Sequence, residues 1–369
     1  MMSSKFVRKH KHSSLVRYRM FFEAFLLVVF LSKTVGAQGL MYAGVWPGDI
    51  LIMDEASGAI QDKIHLRHGA ALSLTRSQDR TKFYAITGLM QTLEVVDIAS
   101  KQVVDEITFS QGNKKTLFTR SLAVHPDGVT VFAPIRTTTK EIDRYDIDKP
   151  QLAKINLRDK KIEKTLELPR EYGQASLMRV SPDGKFLYAF SRDVLVIDVA
   201  DFKLVDKIML DRPMYPGLGL FRFGSSFESH DEPNVLTFVY NSTDPMTNRG
   251  MMGIARFNLT DRNLDFYETG PTIGGSFAVS PDHKRAYIVR NQVGQDEFYV
   301  FDLESKRLVK RQEYDGRPRT AIKVSSDGKK VYLHQAGNTI DYFDANTLKF
   351  EKRVELPGDF TTDLFVFPK

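Results

Sequence analysis

A four-part segment recurs along this 369-residue chain, and its most complete copy is TAIKVSSDGKKVYLHQAGNTIDYFDANTLKFEKRVEL at residues 320–356. It contains four short runs rich in Val, Ile, Tyr and Phe, each bounded by Gly, Asn, Asp or Ser, which is typical of strands joined as hairpins. The pair Asp327 and Gly328 supplies the positive φ that a tight hairpin turn needs. Because a single four-stranded sheet cannot bury both of its faces, the segment must stack against copies of itself.

Further copies follow the same order of turn and strands. Their opening turns begin at Ser77, His125, Ser181 and Ser280. A more divergent copy spans residues 218–269, where the strands persist but the first turn is altered. The spacing of about 35 to 50 residues is the range of propeller blades.

The two ends of the chain complement each other. The N-terminal piece from Leu40 has the last three strands of a unit, and residues 362–367 have only the first. Together they make one blade, so no sheet edge is left free to aggregate. The sequence therefore predicts an all-β, seven-bladed β-propeller of four-stranded antiparallel blades, with residues 38–369 as a single domain.

Residues 1–37 have the pattern of a signal peptide. A basic region through Arg19 precedes an apolar run from Met20 to Leu31 and the small residues around Ala37. This pattern predicts cleavage before Gln38 and a periplasmic or secreted protein. The alternative is a retained anchor, although about 12 apolar residues are too few to span a bilayer as a helix, so no membrane span is expected in the mature chain.

The net charge of +6 resides entirely in this leader, which has seven Lys or Arg and one acid. The remaining chain has 45 basic and 45 acidic residues, so its charge does not indicate a nucleic-acid partner. The absence of cysteine excludes disulfides, thiolate metal sites, covalent c-type haem and a cysteine nucleophile.

Alternating strand directions place the connections of every blade on two rims. The first rim carries the turns after strands one and three, which are short and regular. The second rim carries the loop after strand two and the crossover to the next blade, and these are long and irregular at residues 46–49, 110–120, 135–151, 212–217, 241–253 and 291–297. Function on repeat scaffolds concentrates where insertions are tolerated, so we expect the site on the second rim.

Arginine is frequent on the second rim, where a converging ring would attract a carboxylate, a phosphate or an acidic protein surface. The candidates for ligand or partner binding are Trp46, Arg67, His68, Arg120, Arg136, Arg192, Arg290 and Arg317. The alternative is structural: each arginine pairs with a nearby acid, and Trp46 packs into a blade junction.

The sequence assigns no catalytic residue. It lacks helical metal-ligand spacing, a nucleophile elbow, a P-loop and a dinucleotide fingerprint, so we predict no metal and no cofactor. His68 and His230 are the only histidines placed for acid–base chemistry. His68 facing a carboxylate and an arginine in the central funnel would favour a hydrolase.

Residues 316–344 resemble the YVTN-type repeat: Gly316-Arg317-Pro318, then a Ser-Ser-Asp-Gly turn, then Val331-Tyr332 and a strand ending at Asp344. Residues 181–198 match that repeat more closely still. The resemblance covers essentially all of the mature chain and implies a seven-bladed propeller. Proteins of this kind include exported YncE-like binding propellers and the propeller subunits of amine dehydrogenases, in which a partner subunit carries the cofactor.

These observations favour an exported propeller, not an enzyme, that binds a protein partner or an anionic ligand through the second rim. The resemblance keeps open a propeller subunit of a periplasmic quinoprotein amine dehydrogenase-like complex. A lactonase or other hydrolase using His68 or His230 is the third hypothesis.

Overall fold

The computed structural model describes residues 39–119, 121–168, 177–191, 193–210, 222–227, 232, 234–292, 294–315, 321–334 and 337–368. These residues form thirty β-strands and no helix. The strands make seven antiparallel sheets, which are the blades of a β-propeller. The fold class and the number of blades predicted from the repeat are confirmed.

The strands are numbered along the chain and grouped by blade. Blade 1 comprises β1 (Gly39–Val45), β2 (Asp49–Asp54), β3 (Ile60–His65) and β30 (Phe360–Pro368). Blade 2 comprises β4 (Ser73–Arg76), β5 (Lys82–Thr87), β6 (Thr92–Asp97) and β7 (Gln102–Thr108). Blade 3 comprises β8 (Lys114–Phe118), β9 (Ala123–Val124), β10 (Thr130–Lys140), β11 (Tyr145–Ile147), β12 (Gln151–Asn156) and β13 (Lys161–Glu167).

The remaining blades each contain four strands. Blade 4 comprises β14 (Leu177–Val180), β15 (Phe186–Phe190), β16 (Val194–Asp198) and β17 (Lys203–Ile208). Blade 5 comprises β18 (Arg222–Phe227), β19 (Val235–Thr243), β20 (Gly250–Asn258) and β21 (Leu264–Pro271). Blade 6 comprises β22 (Ser276–Val279), β23 (Arg285–Gln292), β24 (Gln295–Asp302) and β25 (Arg307–Tyr314). Blade 7 comprises β26 (Ala321–Val324), β27 (Lys330–His334), β28 (Thr339–Asp344) and β29 (Phe350–Glu355).

The C-terminal strand closes the ring. Strand β30 pairs antiparallel with β1, with Phe367 opposite Leu40 and Leu364 opposite Ala43. The sheet order β3-β2-β1-β30 makes β30 the first strand of blade 1, as the incomplete terminal units predicted.

The core lies between the blades. Seven clusters of buried apolar side chains each join two neighbouring blades. The second strand of several blades contributes a fully buried tyrosine, at Tyr84, Tyr188, Tyr287 and Tyr332. The hydroxyl of Tyr188 donates to the Leu259 carbonyl of the next blade at 2.8 Å, so this tyrosine both fills and ties the junction of blades 4 and 5.

The first-rim turns have side-chain hydrogen bonds that explain their regularity. Ser181 Oγ donates to Asp183 Oδ1 at 2.6 Å and accepts the Phe186 N–H at 2.9 Å. Gly184 follows with φ of 74°, in the left-handed region that favours glycine. In the related turn of blade 6, His283 occupies that position with φ of 55°, so this histidine is a backbone element of the turn.

Several second-rim segments predicted as irregular loops are instead extensions of strands, so that part of the prediction is wrong. Strand β10 continues to Lys140 and pairs with both β8 and β11. Strands β19 and β20 continue to a turn closed by the Asp244 N–H and the Arg249 carbonyl at 2.8 Å. The β-branched run Thr137–Thr139 favours extended backbone, and a partner strand from the preceding crossover supplies the hydrogen bonds.

Candidate functional site

The second rim holds most of the large apolar side chains that the described connections leave in solvent. Ile142 is 105% exposed, Met246 is 90% exposed and Leu89 is 78% exposed. The whole set is Trp46, Leu89, Ile142, Tyr145, Ile147, Met209 and Met246. At the first rim, the exposed large apolar side chains among the described residues are Ile60 and Phe350, the first residues of β3 and β29, at 45% and 54%. Single exposed apolar residues are ordinary, but this many on one rim indicates a contact surface.

Trp46 lies in the connection between β1 and β2. Its backbone N–H donates to the Asp359 carbonyl at 2.9 Å, which fixes the loop against the segment that leads into β30. The indole is 65% exposed, so it projects outward from the junction that its backbone helps to hold.

Arg67 and His68 lie on the crossover from blade 1 to blade 2. The buried Glu94 carboxylate accepts both of their backbone N–H groups, at 2.9 Å and 3.0 Å. Arg67 Nη1 and His68 Nε2 lie 3.2 Å and 3.3 Å from Glu106 Oε2. Arg67 Nη2 also donates to the Val103 carbonyl at 2.7 Å.

This arrangement includes a histidine, a carboxylate and an arginine, but it does not lie in a central funnel. Glu106 and Val103 belong to β7, the outermost strand of blade 2. The hydrogen bond from Arg67, together with His68, lowers the pKa of Glu106 below its usual value. A carboxylate with a lowered pKa is a weak base, so the group has the properties of a charge-paired anchor.

Arg290 lies at the second-rim end of β23. Its Nη1 is 3.5 Å from Glu297 Oε2, and Glu297 also pairs with Arg311 and accepts the Tyr299 hydroxyl at 2.5 Å. These contacts, led by the Tyr299 hydrogen bond, lower the pKa of Glu297. Like Arg67, Arg290 is therefore paired with an acid.

Arg136 differs from these two arginines. It lies on β10, is exposed, and makes no ion pair within the part of the chain that the structure describes. The other predicted residues, Arg120, Arg192, Arg317 and His230, lie outside the described residues.

The most distinctive element of the second rim is a three-stranded outgrowth formed by residues 110–119 and 135–148, here named the blade 3 extension. Its strand order is β8-β10-β11. Thr116 Oγ1 and Thr137 Oγ1 lie 3.1 Å apart in its buried part, and the Phe118 N–H donates to the Met90 carbonyl of blade 2 at 2.7 Å. The extension is thus anchored at its base, while Ile142, Tyr145 and Ile147 are exposed towards its tip.

Sequence reasoning missed a charged cluster at the second-rim end of the first strands. Lys323 Nζ and His334 Nε2 lie 2.7 Å and 3.1 Å from the two oxygens of Asp363. Lys323 and His334 are buried, and Asp363 lies where the pairing of β30 with β1 shifts register. Such irregularities re-aim side chains. The sequence held one indication of this cluster, which is the lysine at position 323 within the otherwise apolar run Ala321–Val324.

Comparisons with known proteins are informative about the fold of this chain and not about its activity. No protein-family model matches the sequence, and no curated protein matches it. The Cps50 (Swd1) β-propeller domain of Myceliophteria thermophila is similar, with a TM-score of 0.54 and 13% identity over 81% of this chain and 90% of that chain. Dihydro-heme d1 dehydrogenase NirN, solved in complex with DHE, has a TM-score of 0.53 and 15% identity over 89% of this chain and 75% of that chain.

Citrobacter koseri AztD has a TM-score of 0.50 and 12% identity over 90% of this chain and 98% of that chain. Identities this low establish a shared architecture alone. The chain is a seven-bladed β-propeller, which is the fold that the YVTN-type resemblance implied. Among the described residues, no helix has the length and apolar character needed to cross a membrane.

Proposed function

We propose that this protein is a binding propeller that docks a protein partner through its second rim. The observation that carries the proposal is the concentration of exposed apolar side chains there, including Trp46, Ile142 and Met246. Aromatic residues and methionine are enriched at protein interfaces, where covering them removes apolar surface from water.

Exposed apolar residues elsewhere have a different explanation. The other exposed large apolar residues lie on outermost strands: Ile60 on β3, Val104 on β7, Leu204 and Val205 on β17, Leu308 and Val309 on β25, and Phe350 on β29. They recur on the outermost strands of five blades, so they are a feature of the repeat. The second-rim residues lie where the blades differ from one another, and a specific partner needs such a non-repeating surface.

Affinity capture from an extract of the source cells tests the proposal. The probe is the chain from residue 38 onward, compared with a variant carrying Trp46→Ser, Ile142→Ser and Met246→Ser. A control variant carries Leu204→Ser and Val205→Ser, which removes exposed apolar side chains from the outer strand instead.

We expect a partner that the control retains and the second-rim variant loses. Equal retention by both variants would contradict a second-rim interface. If the partner carries a redox cofactor, the protein is the propeller subunit of a dehydrogenase-like complex.

We also propose that residues 1–37 direct export and are removed. The basic region, the apolar run and the small residues before Gln38 support this proposal. The N-terminal sequence of the exported protein should begin at Gln38. Retention of the leader in a membrane fraction would instead indicate an anchor.

A further inference from the structure

The two faces of the blade 3 extension differ in chemistry. Residues directly opposite each other in an antiparallel pair share a face. The register pairs Arg136 with Leu117 and Thr138 with Lys115 across β8, and Thr138 with Ile147 and Lys140 with Tyr145 across β11. One face, here named the basic face, therefore holds Lys115, Leu117, Arg136, Thr138, Lys140, Tyr145 and Ile147.

The opposite face has no net charge at the paired positions, which hold Lys114 and Asp146. Asp146 lies opposite Thr139, and its carboxylate pairs with Arg144 at 3.0 Å. Thr116 and Thr137 form the buried hydroxyl contact on this side. Lys114 is the cation that β8 contributes here, opposite Thr139.

The three cations of the basic face are exposed and uncompensated. Lys115, Arg136 and Lys140 make no ion pair with any acid among the described residues. Tyr145 and Ile147, on the neighbouring edge strand β11, are 62% and 64% exposed. The body of the protein is formally neutral, so a face with three cations and no facing acid is a local departure from that balance.

Cross-strand neighbours lie about 5 Å apart, so the cations and the apolar side chains form one continuous patch. A guanidinium binds a carboxylate through paired hydrogen bonds, and an ammonium adds a point charge. The adjacent tyrosine and isoleucine supply apolar area that a purely ionic contact lacks.

We propose that the basic face binds an acidic peptide segment of a partner protein, one in which aspartate or glutamate alternates with aromatic or aliphatic residues. This inference rests on the proposed function and names the chemistry of the partner. An extended segment would place its acids on Lys115, Arg136 and Lys140 and its apolar side chains on Tyr145 and Ile147. Nucleic acid fits less well, because duplex binders neutralise about six to ten phosphates and this face offers three cations.

The test is selection from a random peptide library on the protein from residue 38 onward, followed by fluorescence polarisation with the enriched peptides. The test variant carries Lys115→Glu, Arg136→Glu and Lys140→Glu. The control is Lys114→Glu, a charge reversal on the other face of the same strand. Thermal unfolding verifies that both variants keep the wild-type fold, and a single-stranded DNA oligonucleotide is titrated in parallel.

We expect acidic peptides with apolar residues, weakened about tenfold or more by the triple reversal, unaffected by the control, and weakened by salt. Enrichment of peptides without acidic residues, or no enrichment, would overturn the inference. DNA binding abolished by the triple reversal would identify a nucleic-acid surface and overturn it too. Peptides lost only in the Trp46, Ile142 and Met246 variant would leave the proposed function standing while moving the site away from the basic face.

Discussion

The two rims of this propeller are both built from hairpins, but their side chains have different roles. On the first rim, polar side chains satisfy the backbone and tie neighbouring blades together. Lys310 Nζ donates to the carbonyls of Asn346 and Thr347 at 2.9 Å and 2.6 Å, and Lys352 Nζ donates to Ala56 and Ser57 at 2.7 Å each. On the second rim, strands extend past the sheet and leave apolar side chains in solvent.

This difference assigns stability to one rim and recognition to the other. First-rim contacts recur from blade to blade, so each substitution there should cost free energy of unfolding. The exposed apolar side chains of the second rim contribute little to folding, because they already face water in the folded chain. Buried second-rim contacts are the exception, and the Lys323, His334 and Asp363 cluster is one of them, since it joins β30 to blade 7.

The largest expected effect comes from deleting residues 362–369, which removes most of β30. The deletion leaves the β1 edge unpaired and exposes the apolar clusters on both sides of blade 1, so most of the stability should be lost. Chemical denaturation followed by circular dichroism measures this. A truncated protein that unfolds like the full-length one would refute ring closure.

Tyr332→Ala should have the next largest effect. Tyr332 is fully buried between blades 7 and 1, and its hydroxyl donates to Glu55 Oε1 at 3.1 Å. Loss of a buried aromatic side chain costs about 3–5 kcal/mol of unfolding free energy. The control Tyr332→Phe keeps the ring and should cost about 1 kcal/mol. Equal costs for both variants would mean that packing at this junction contributes little.

Asp363→Asn tests the exception on the second rim. Burial raises the pKa of Asp363, but Lys323 and His334 lower it by more, so it lies well below the usual range. A folded-state pKa below the unfolded value of about 3.9 stabilises the fold above that pH, and this contribution is lost as the pH falls through the folded pKa.

At pH 7 the variant should lose about 1–3 kcal/mol of unfolding free energy, because the buried Lys323 ammonium loses its carboxylate. Below about pH 4 the difference from wild type should shrink. Urea denaturation at pH 7 and pH 3 measures both. The matched control is Asp146→Asn, whose exposed pair with Arg144 should contribute at most about 1 kcal/mol. A difference in unfolding free energy that is independent of pH would contradict a stabilising ion pair between Asp363 and Lys323.

Ser181→Ala removes the two hydrogen bonds that organise a first-rim turn and should cost about 1 kcal/mol. Loss of the serine donor should also bring the lowered pKa of Asp183 back towards its ordinary value. Denaturation measures the first effect and NMR titration of the carboxyl the second. Gln111→Ala, an exposed second-rim substitution, is the comparison and should change stability by less than about 0.5 kcal/mol.

The smallest effect on stability is expected from Ile142→Ser with Met246→Ser, within about 0.5 kcal/mol of wild type. Both side chains are already almost fully in solvent, so folding gains nothing from them. The same double variant should capture less partner. A marked loss of stability would place these residues in the folding core and blur the distinction between the rims.

Much of the fold was predictable because its determinants are local. The turn from Ser325 to Gly328 and the strand at Ala321–Val324 lie where period and turn chemistry place them. The incomplete terminal units implied closure, since a unit that lacks one strand must take it from the other end. The serine, aspartate and tyrosine positions of the repeat determined the first rim for the same reason.

The second rim was decided by tertiary structure. Arg67 is paired because Glu106, 39 residues away, comes beside it, and no local pattern could show that. The basic face exists because β8 crosses from blade 2 and pairs with β10, which brings Lys115, Arg136 and Lys140 to one side. Sequence alone determines which side chains are available and how each strand alternates. Which of them meet depends on register and blade packing, because these contacts form between strands that are distant along the chain.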